Sequence, residues 1–444
     1  MKNEFMKVQS LKTVYFFAIS LVTLGLFFAV FYALQDRGFY HATVGLLEST
    51  TASNNHLYNY FMSFSHDHMK SWDSIHYFNI GTQGYTKEFE YAFFPLYPFL
   101  IGLVPDMVFQ VFLNYALYSV GLYLILKSKP DFEWSIFNIV ALFCAPFLFV
   151  ILIPYSEALM IFCFGVGWYL KYKQKSHWIY MVFFIMAGMI RASNVFMLAS
   201  FGLAGLFVLA NHKKSFFKII AMYDWVLYVA AGVLLASIIQ VISGAPHLLF
   251  FAEAQSYWKK ELMFPTSLGC WSEESLGMNF FGLFVVFPFM IYKLKDFFKD
   301  VREDLNPQTT FNWAVLVYLI LLTVLIYMTQ MGSLNGLFRY VCCTPFFLLM
   351  VNKKNNNLGV YALLFLTAFL FFNSHPSVHG VIGPSQLGFF IFFFFIMFVW
   401  FNWQTEKKWT SVSKYVLLGL VYFVNLIFTA ICVFKFLSNS YVIT

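Results

Sequence analysis

The chain has 444 residues, of which 60% are hydrophobic and only 11% are charged. Ordinary soluble domains hold roughly 45–50% apolar residues, so this chain has too little polar surface for a water-soluble enzyme, a disordered tail or a disulfide scaffold. A bilayer accepts only spanning structures that satisfy their own backbone hydrogen bonds. The composition therefore predicts an all-α polytopic membrane protein, with residues 1–444 forming a single integral membrane domain.

Apolar runs along the chain predict about 11–13 transmembrane helices. The run at 91–104 is short and contains Pro95 and Pro98, so we expect a re-entrant or interfacial piece there and no full crossing. The runs that are predicted to cross lie at 14–34, 107–126, 134–152, 155–170, 178–190, 195–210, 219–242, 278–292, 312–331, 336–351, 358–372, 387–403 and 415–437.

The net charge of +7 comes from basic clusters that lie between these runs. If the N-terminus is cytoplasmic, this set of spans places every basic cluster on the cytoplasmic side, as the positive-inside rule requires. The pattern is not typical of a nucleic-acid-binding surface, and we expect no nucleic-acid partner. The long loop at 35–90 and a turn between two spans at 191–194 then face the opposite, extracytoplasmic compartment.

Two residues of the first extracytoplasmic loop have spacing that suits catalysis. Asp73 and His76 are three positions apart, so they share one face if the segment is helical. A carboxylate on an aromatic, partly desolvated surface can have a raised pKa and can then serve as a general base. Spacing alone favours a different interpretation of Asp73, as a helix cap or a solvated loop carboxylate.

Four groups of motifs, taken together, resemble the PIG-V family of second GPI mannosyltransferases and their prokaryotic relatives. This family belongs to the GT-C glycosyltransferases. The motifs occur in family order along about three-fifths of the chain. They are Trp72-Asp73 with Gly84-Tyr85 and Phe93-Phe-Pro-Leu-Tyr-Pro98, then Pro154-Tyr-Ser-Glu-Ala-Leu159, then Arg191-Ala-Ser-Asn194, and finally Phe338-Arg-Tyr340 followed by Pro345.

The resemblance implies a GT-C fold and an inverting mannosyltransferase. The implied donor is dolichyl- or polyprenyl-phosphate mannose, and the implied acceptor is a hydroxyl of a lipid-linked glycan such as a GPI-anchor precursor, with an α-1,6-type linkage. The implied partners are this donor, a glycolipid acceptor, the lipid bilayer and a small membrane subunit, with no cofactor and no metal. The implied location is the endoplasmic reticulum membrane in a eukaryote or the plasma membrane in a prokaryote.

The resemblance also implies roles for particular residues. Asp73 matches the catalytic base, and His76 is its expected catalytic neighbour, which orients or binds the acceptor. Arg191 and Arg339 would hold the donor phosphate, because guanidinium groups bind phosphate through two parallel hydrogen bonds. The residues expected to support the site are Trp72, Glu157, Asn194 and Tyr97.

Other interpretations of these residues remain open at this stage. Both arginines could be ion-paired or snorkelling at a helix end, and Glu157 could be a helix-start carboxylate or a partner of Arg191. His66 and His68 could bind a metal, although a polar loop produces such a pair by chance. At the level of the whole protein, the alternative is a transporter or lipid flippase whose path is lined by the buried charges.

Overall fold

The computed structural model of the chain describes residues 2–36, 64–128, 134, 136–143, 148–211, 223–258, 290, 294, 307–329, 337–345 and 411–437. Every regular element within these ranges is helical, as the composition predicts. The α-helices are α1 Lys2–Asp36, α2 Asp73–Gln83, α3 Leu96–Leu103, α4 Met107–Lys127, α5 Ile136–Phe143, α6 Leu148–Ile151, α7 Glu157–Tyr172, α8 His177–Gly188, α9 Asn194–Asn211, α10 Asp224–Ile242, α11 Phe250–Ala254, α12 Pro307–Thr329, α13 Leu337–Cys342 and α14 Ser411–Leu437. Short 3₁₀ helices occur at Glu88–Ala92 and Gln255–Trp258.

The expected all-α membrane architecture is confirmed in the described ranges. By length and composition, three helical segments there are long and apolar enough to cross a membrane: Leu11–Ala33 within α1, Met107–Lys127 and Asp224–Ile242. Shorter apolar helices cover His177–Gly188, Asn194–Phe207, Trp313–Met328 and Asn425–Phe434. The predicted spans at 358–372 and 387–403 lie outside the described residues, so the number of crossings stays a prediction.

One segment has a shorter helix than an uninterrupted crossing would need. Helix α3 has only eight residues, a length of about 12 Å, which agrees with the prediction that residues 91–104 do not cross the bilayer. The predicted span at 134–152 contains the short helices α5 and α6, and residues 144–147 between them lie outside the described part of the chain.

Glycines allow several helices to approach each other at backbone distance. A Cβ atom added to Gly165 of α7 would lie 2.4 Å from the carbonyl oxygen of Gly121 in α4, and one added to Gly102 of α3 would lie 2.3 Å from that of Gly81 in α2. Such contacts between small residues are a common way for helices to associate in lipid, where burial of apolar surface adds little. The second contact fixes α2, the helix that begins at Asp73, against α3.

The charges of helix α7 show which end of the helical bundle carries the candidate site. Glu157 begins the helix and Lys171 lies in its last turn, so the acid and the basic loop lie at opposite ends. Arg191 lies in the turn between α8 and α9, as the sequence predicts. This arrangement agrees with a basic cytoplasmic face and a site at the extracytoplasmic ends of the helices.

Candidate active site

Four charged residues from distant parts of the chain form one connected cluster. Arg339 of α13 donates from Nη1 to Asp73 Oδ2, at 2.8 Å, and from Nε to Glu157 Oε1. Arg191 donates from Nη1 to the same oxygen of Glu157. The structure thus brings together the predicted base, the two predicted phosphate-binding arginines and the predicted supporting acid; these four residues are called the charged cluster below.

The members of the charged cluster differ in their access to solvent. The side chains of Glu157 and Arg339 are 0% and 3% exposed, whereas that of Asp73 is 27% exposed. Two carboxylates and two guanidinium groups balance in formal charge, which offsets the high cost of removing each ion from water. Asp73 is the member at the edge of the cluster, where an acceptor hydroxyl can reach a carboxylate oxygen.

Two tyrosine rings support the guanidinium groups. The Cζ atom of Arg339 lies 4.1 Å from the ring centroid of Tyr155, and that of Arg191 lies 5.0 Å from the ring centroid of Tyr340. Such cation–π contacts contribute about 0.5–2 kcal/mol each. Sequence reasoning assigned no role to either tyrosine, although both lie inside the quoted motifs. Tyr340 directly follows Arg339, and Tyr155 lies two positions before Glu157.

Helix α2 places Asp73 and His76 as their spacing predicts. The helix begins at Asp73, so the carboxylate lies in the first turn, where the helix dipole favours negative charge. Trp72, the residue before it, has φ 53°, a conformation that non-glycine residues seldom adopt and that is concentrated at functional sites. The helix-start and site interpretations of Asp73 are therefore compatible, since the same carboxylate begins the helix and meets Arg339.

His76 lies one helical turn after Asp73, within a group of aromatic rings. Its imidazole stacks on Phe93 with ring centroids 5.2 Å apart and makes an edge contact with Phe89. Burial lowers the pKa of His76 below its ordinary value of 6.5, and the nearby carboxylates of Asp73 and Glu90 only partly oppose this effect. A neutral imidazole can orient an acceptor hydroxyl by hydrogen bonding.

The remaining predicted supporting residues fix the backbone and packing around the cluster. Asn194 donates from Nδ2 to the carbonyl oxygen of Ala187, at 2.8 Å, across the turn that carries Arg191. The ring of Tyr97 packs edge-on against Tyr77 of α2, with centroids 5.0 Å apart. Trp72 is partly buried against the hydrophobic core.

The histidine pair considered for metal binding has other contacts. His66 accepts through Nδ1 from the backbone N–H of Met107, at 3.1 Å, and His68 Nδ1 lies 3.2 Å from Ser65 Oγ. Within the described ranges, no three His, Cys, Asp or Glu side chains are grouped as a metal site.

The first part of the chain matches a known family. The family model described as Mannosyltransferase (PIG-V) matches residues 11–128. This match confirms the resemblance to the PIG-V family. The protein is therefore a membrane glycosyltransferase of the mannosyltransferase class. The matched segment includes Trp72, Asp73 and His76, whereas Glu157, Arg191 and Arg339 lie beyond it.

No curated protein and no solved structure matches the chain. The grouping of Glu157, Arg191 and Arg339 around Asp73 is therefore an observation made on the structure of this chain alone.

Proposed function

We propose that this PIG-V-type protein transfers mannose from a polyprenyl-phosphate donor to a hydroxyl of a lipid-linked acceptor, at the charged cluster. The observation that supports this most is the position of Arg339, which contacts both Asp73 and Glu157. One site thereby offers a carboxylate for proton transfer and guanidinium groups for a phosphate. Inverting transfer from a lipid phosphate needs both.

Asp73 is the proposed general base. Its Oδ2 is held by Arg339, which orients the rest of the carboxylate, and it is the member of the cluster that is accessible to solvent. The acceptor oxygen attacks the anomeric carbon of mannose while its proton passes to Asp73. The bond from that carbon to the phosphate oxygen breaks, and the electron pair leaves with the lipid phosphate, so the configuration at the anomeric carbon inverts.

Arg191 and Arg339 are the proposed phosphate contacts. A guanidinium group has five N–H donors in a fixed plane. The ion pairs described above use Nη1 of Arg191 and both Nε and Nη1 of Arg339. Other donors of each group can therefore bind the departing phosphate, while Glu157 and the tyrosine rings keep both guanidinium planes in position.

The finer identity of the substrates follows from the family resemblance. The proposed acceptor is a GPI-anchor precursor or a related glycolipid, joined through an α-1,6-type linkage, and a small membrane subunit is a proposed partner. The proposed membrane is that of the endoplasmic reticulum in a eukaryote and the plasma membrane in a prokaryote. The polyprenyl chain of the donor remains in the bilayer while its phosphate reaches the helix ends.

A transfer assay tests this function. The purified protein is placed in liposomes with radiolabelled polyprenyl-phosphate mannose and a GPI-type glycolipid, and a parallel reaction contains nucleotide-activated mannose. We expect labelled glycolipid from the lipid-linked donor alone, with the product cleaved by an α-mannosidase. Transfer from the nucleotide donor alone would contradict the proposal, and movement of the lipid-linked sugar across the bilayer without transfer would favour the flippase alternative.

A further inference from the structure

A buried asparagine of helix α4 lies behind the charged cluster. Asn114 is 0% exposed, and its Nδ2, which carries two hydrogens, lies 2.9 Å from each of three oxygens: the carbonyl oxygens of Ile153 and Tyr155 and the hydroxyl oxygen of Tyr97. Burying an amide inside a membrane protein costs free energy unless the amide forms hydrogen bonds, so such a residue suggests that its hydrogen bonds have a role. All three acceptors belong to segments that shape the site.

The two carbonyl groups lie on either side of Pro154, in the turn between α6 and α7. Proline has no backbone N–H, and the N–H of Tyr155 donates to the carbonyl oxygen of Ile153, at 2.8 Å, so the turn itself supplies one donor to these two carbonyl groups. Asn114 supplies donors to both carbonyl groups. It therefore fixes the path of the chain immediately before Glu157.

The turn determines the position of three consecutive residues that contact the site. Tyr155 supports the guanidinium of Arg339, Ser156 Oγ lies 3.2 Å from Tyr77 Oη in α2, and Glu157 binds both arginines. A shift of this turn would move the carboxylate and the ring that together orient Arg339. Arg339 in turn holds Asp73.

The third contact of Asn114, with Tyr97, connects it indirectly to helix α2. Tyr97 packs on Tyr77 of α2, and its hydroxyl oxygen lies 2.9 Å from Asn114 Nδ2. The asparagine thus links α4 with the turn before α7 and with α3.

From these contacts we propose that Asn114 is a positioning residue: it sets the geometry of the Glu157–Arg339–Asp73 chain and thereby the alignment of the base. The proposal rests on the proposed function of Asp73. It assigns Asn114 an effect on the rate of transfer and on its pH dependence, in addition to a contribution to stability. Small displacements of a base are costly, since a shift of about 1 Å can lower a rate by about 10²-fold.

The same helix supplies a matched control. Gln110 lies one turn before Asn114, is also 0% exposed, and donates from Nε2 to a backbone carbonyl oxygen, that of Val104, at 2.8 Å. Its acceptor lies at the end of α3, away from the turn that precedes Glu157. Gln110→Leu thus removes a comparable buried amide without changing the donors to that turn.

The experiment compares Asn114→Leu with Gln110→Leu in liposomes, using polyprenyl-phosphate mannose and the glycolipid acceptor. We expect similar losses of thermal stability but a fall of about tenfold or more in kcat for Asn114→Leu alone, with the donor KM within about twofold of the wild type. The acid limb of its kcat–pH profile should also move to higher pH, because a displaced Arg339 stabilises the charged form of Asp73 less.

Equal kcat values and equal acid limbs for the two leucine variants, in an active wild-type protein, would overturn the positioning role. Absence of transfer by the wild type would instead contradict the proposed function. If Asn114→Leu does not fold, Asn114→Ser and Gln110→Ser provide the same comparison, because serine keeps one donor at each position. A kcat for Asn114→Ser that is lower than that of Gln110→Ser supports the proposal, and equal kcat values in the two variants oppose it.

Discussion

Arg339 Nη1 lies 2.8 Å from Asp73 Oδ2, although the two residues are separated by 266 positions in the chain. The same guanidinium donates through Nε to Glu157, which also binds Arg191. A buried arginine thus connects the accessible acid of the first loop with a fully buried acid at the start of α7. The following predictions test this arrangement and the helices and side chains around it.

Glu157→Gln should destabilise the protein strongly. The change leaves the buried guanidinium groups of Arg191 and Arg339 without the carboxylate they share, and breaking a buried ion pair in this way costs about 3–5 kcal/mol. The midpoint of thermal unfolding in detergent measures the effect. Asp224→Asn is the control, because its ion pair with Lys171 is more exposed; an equal loss in the two variants would contradict the prediction.

Arg339→Lys should lower transfer even though the positive charge is kept. A lysine ammonium lacks the planar fork that lets one guanidinium contact both Asp73 and Glu157. We expect kcat to fall by about 10²-fold in the liposome assay. Lys70→Arg, in an exposed ion pair with Asp67, should leave kcat unchanged; wild-type activity in Arg339→Lys would show that the double contact is unnecessary.

Gly102→Ala should separate α3 from α2. The added Cβ would lie 2.3 Å from the carbonyl oxygen of Gly81, so one backbone must move, and with it the helix that begins at Asp73. We expect a lower thermal midpoint and reduced transfer. Gly205→Ala, in α9, meets no atom within 4 Å and should be neutral or slightly stabilising, since alanine is favoured in helices by roughly 0.5–1 kcal/mol. Similar behaviour of both variants would count against a close α2–α3 contact.

Acidification should cost stability through His76. Burial keeps the pKa of this histidine below 6.5 in the folded protein, so the unfolded chain binds the proton first as the pH falls. The wild type should therefore lose stability as the pH falls below about 6.5 towards the pKa of the folded state. His76→Gln should remove that part of the loss, whereas His68→Gln in the same loop should retain it. Thermal midpoints at pH 7.5 and pH 5.5 compare the three proteins, and an unchanged difference in His76→Gln would contradict the prediction.

The charged residues of the site could be predicted from the sequence because charges are scarce in this chain. Assigning the basic clusters to one face left few charged residues for the other, among them Asp73, Glu157, Arg191 and Arg339, and the family motifs selected these four. The α8–α9 turn at Arg191 followed from local patterns, whereas the spacing of Asp73 and His76 was only compatible with the helix that begins at Asp73. The sequence offered Arg191 as one partner for Glu157, and the structure shows this ion pair.

The supporting contacts depend on how distant segments approach each other, and no local pattern defines this. The rings of Tyr155 and Tyr340 became recognisable as supports only with the positions of the guanidinium groups known. Asn114 did leave a signal, since an amide in an otherwise apolar span is costly in lipid. Its acceptors, on either side of Pro154 and in α3, required the folded structure.

The most direct test of the central claim is the transfer rate of Asp73→Asn with polyprenyl-phosphate mannose as donor. The amide keeps the size of the side chain but cannot take the acceptor proton, so we predict a loss of kcat of about 10²–10⁴-fold with the fold retained. Asp67→Asn, at an exposed carboxylate of the same loop, should transfer at the wild-type rate. A wild-type rate in Asp73→Asn would contradict the role of Asp73 as the base.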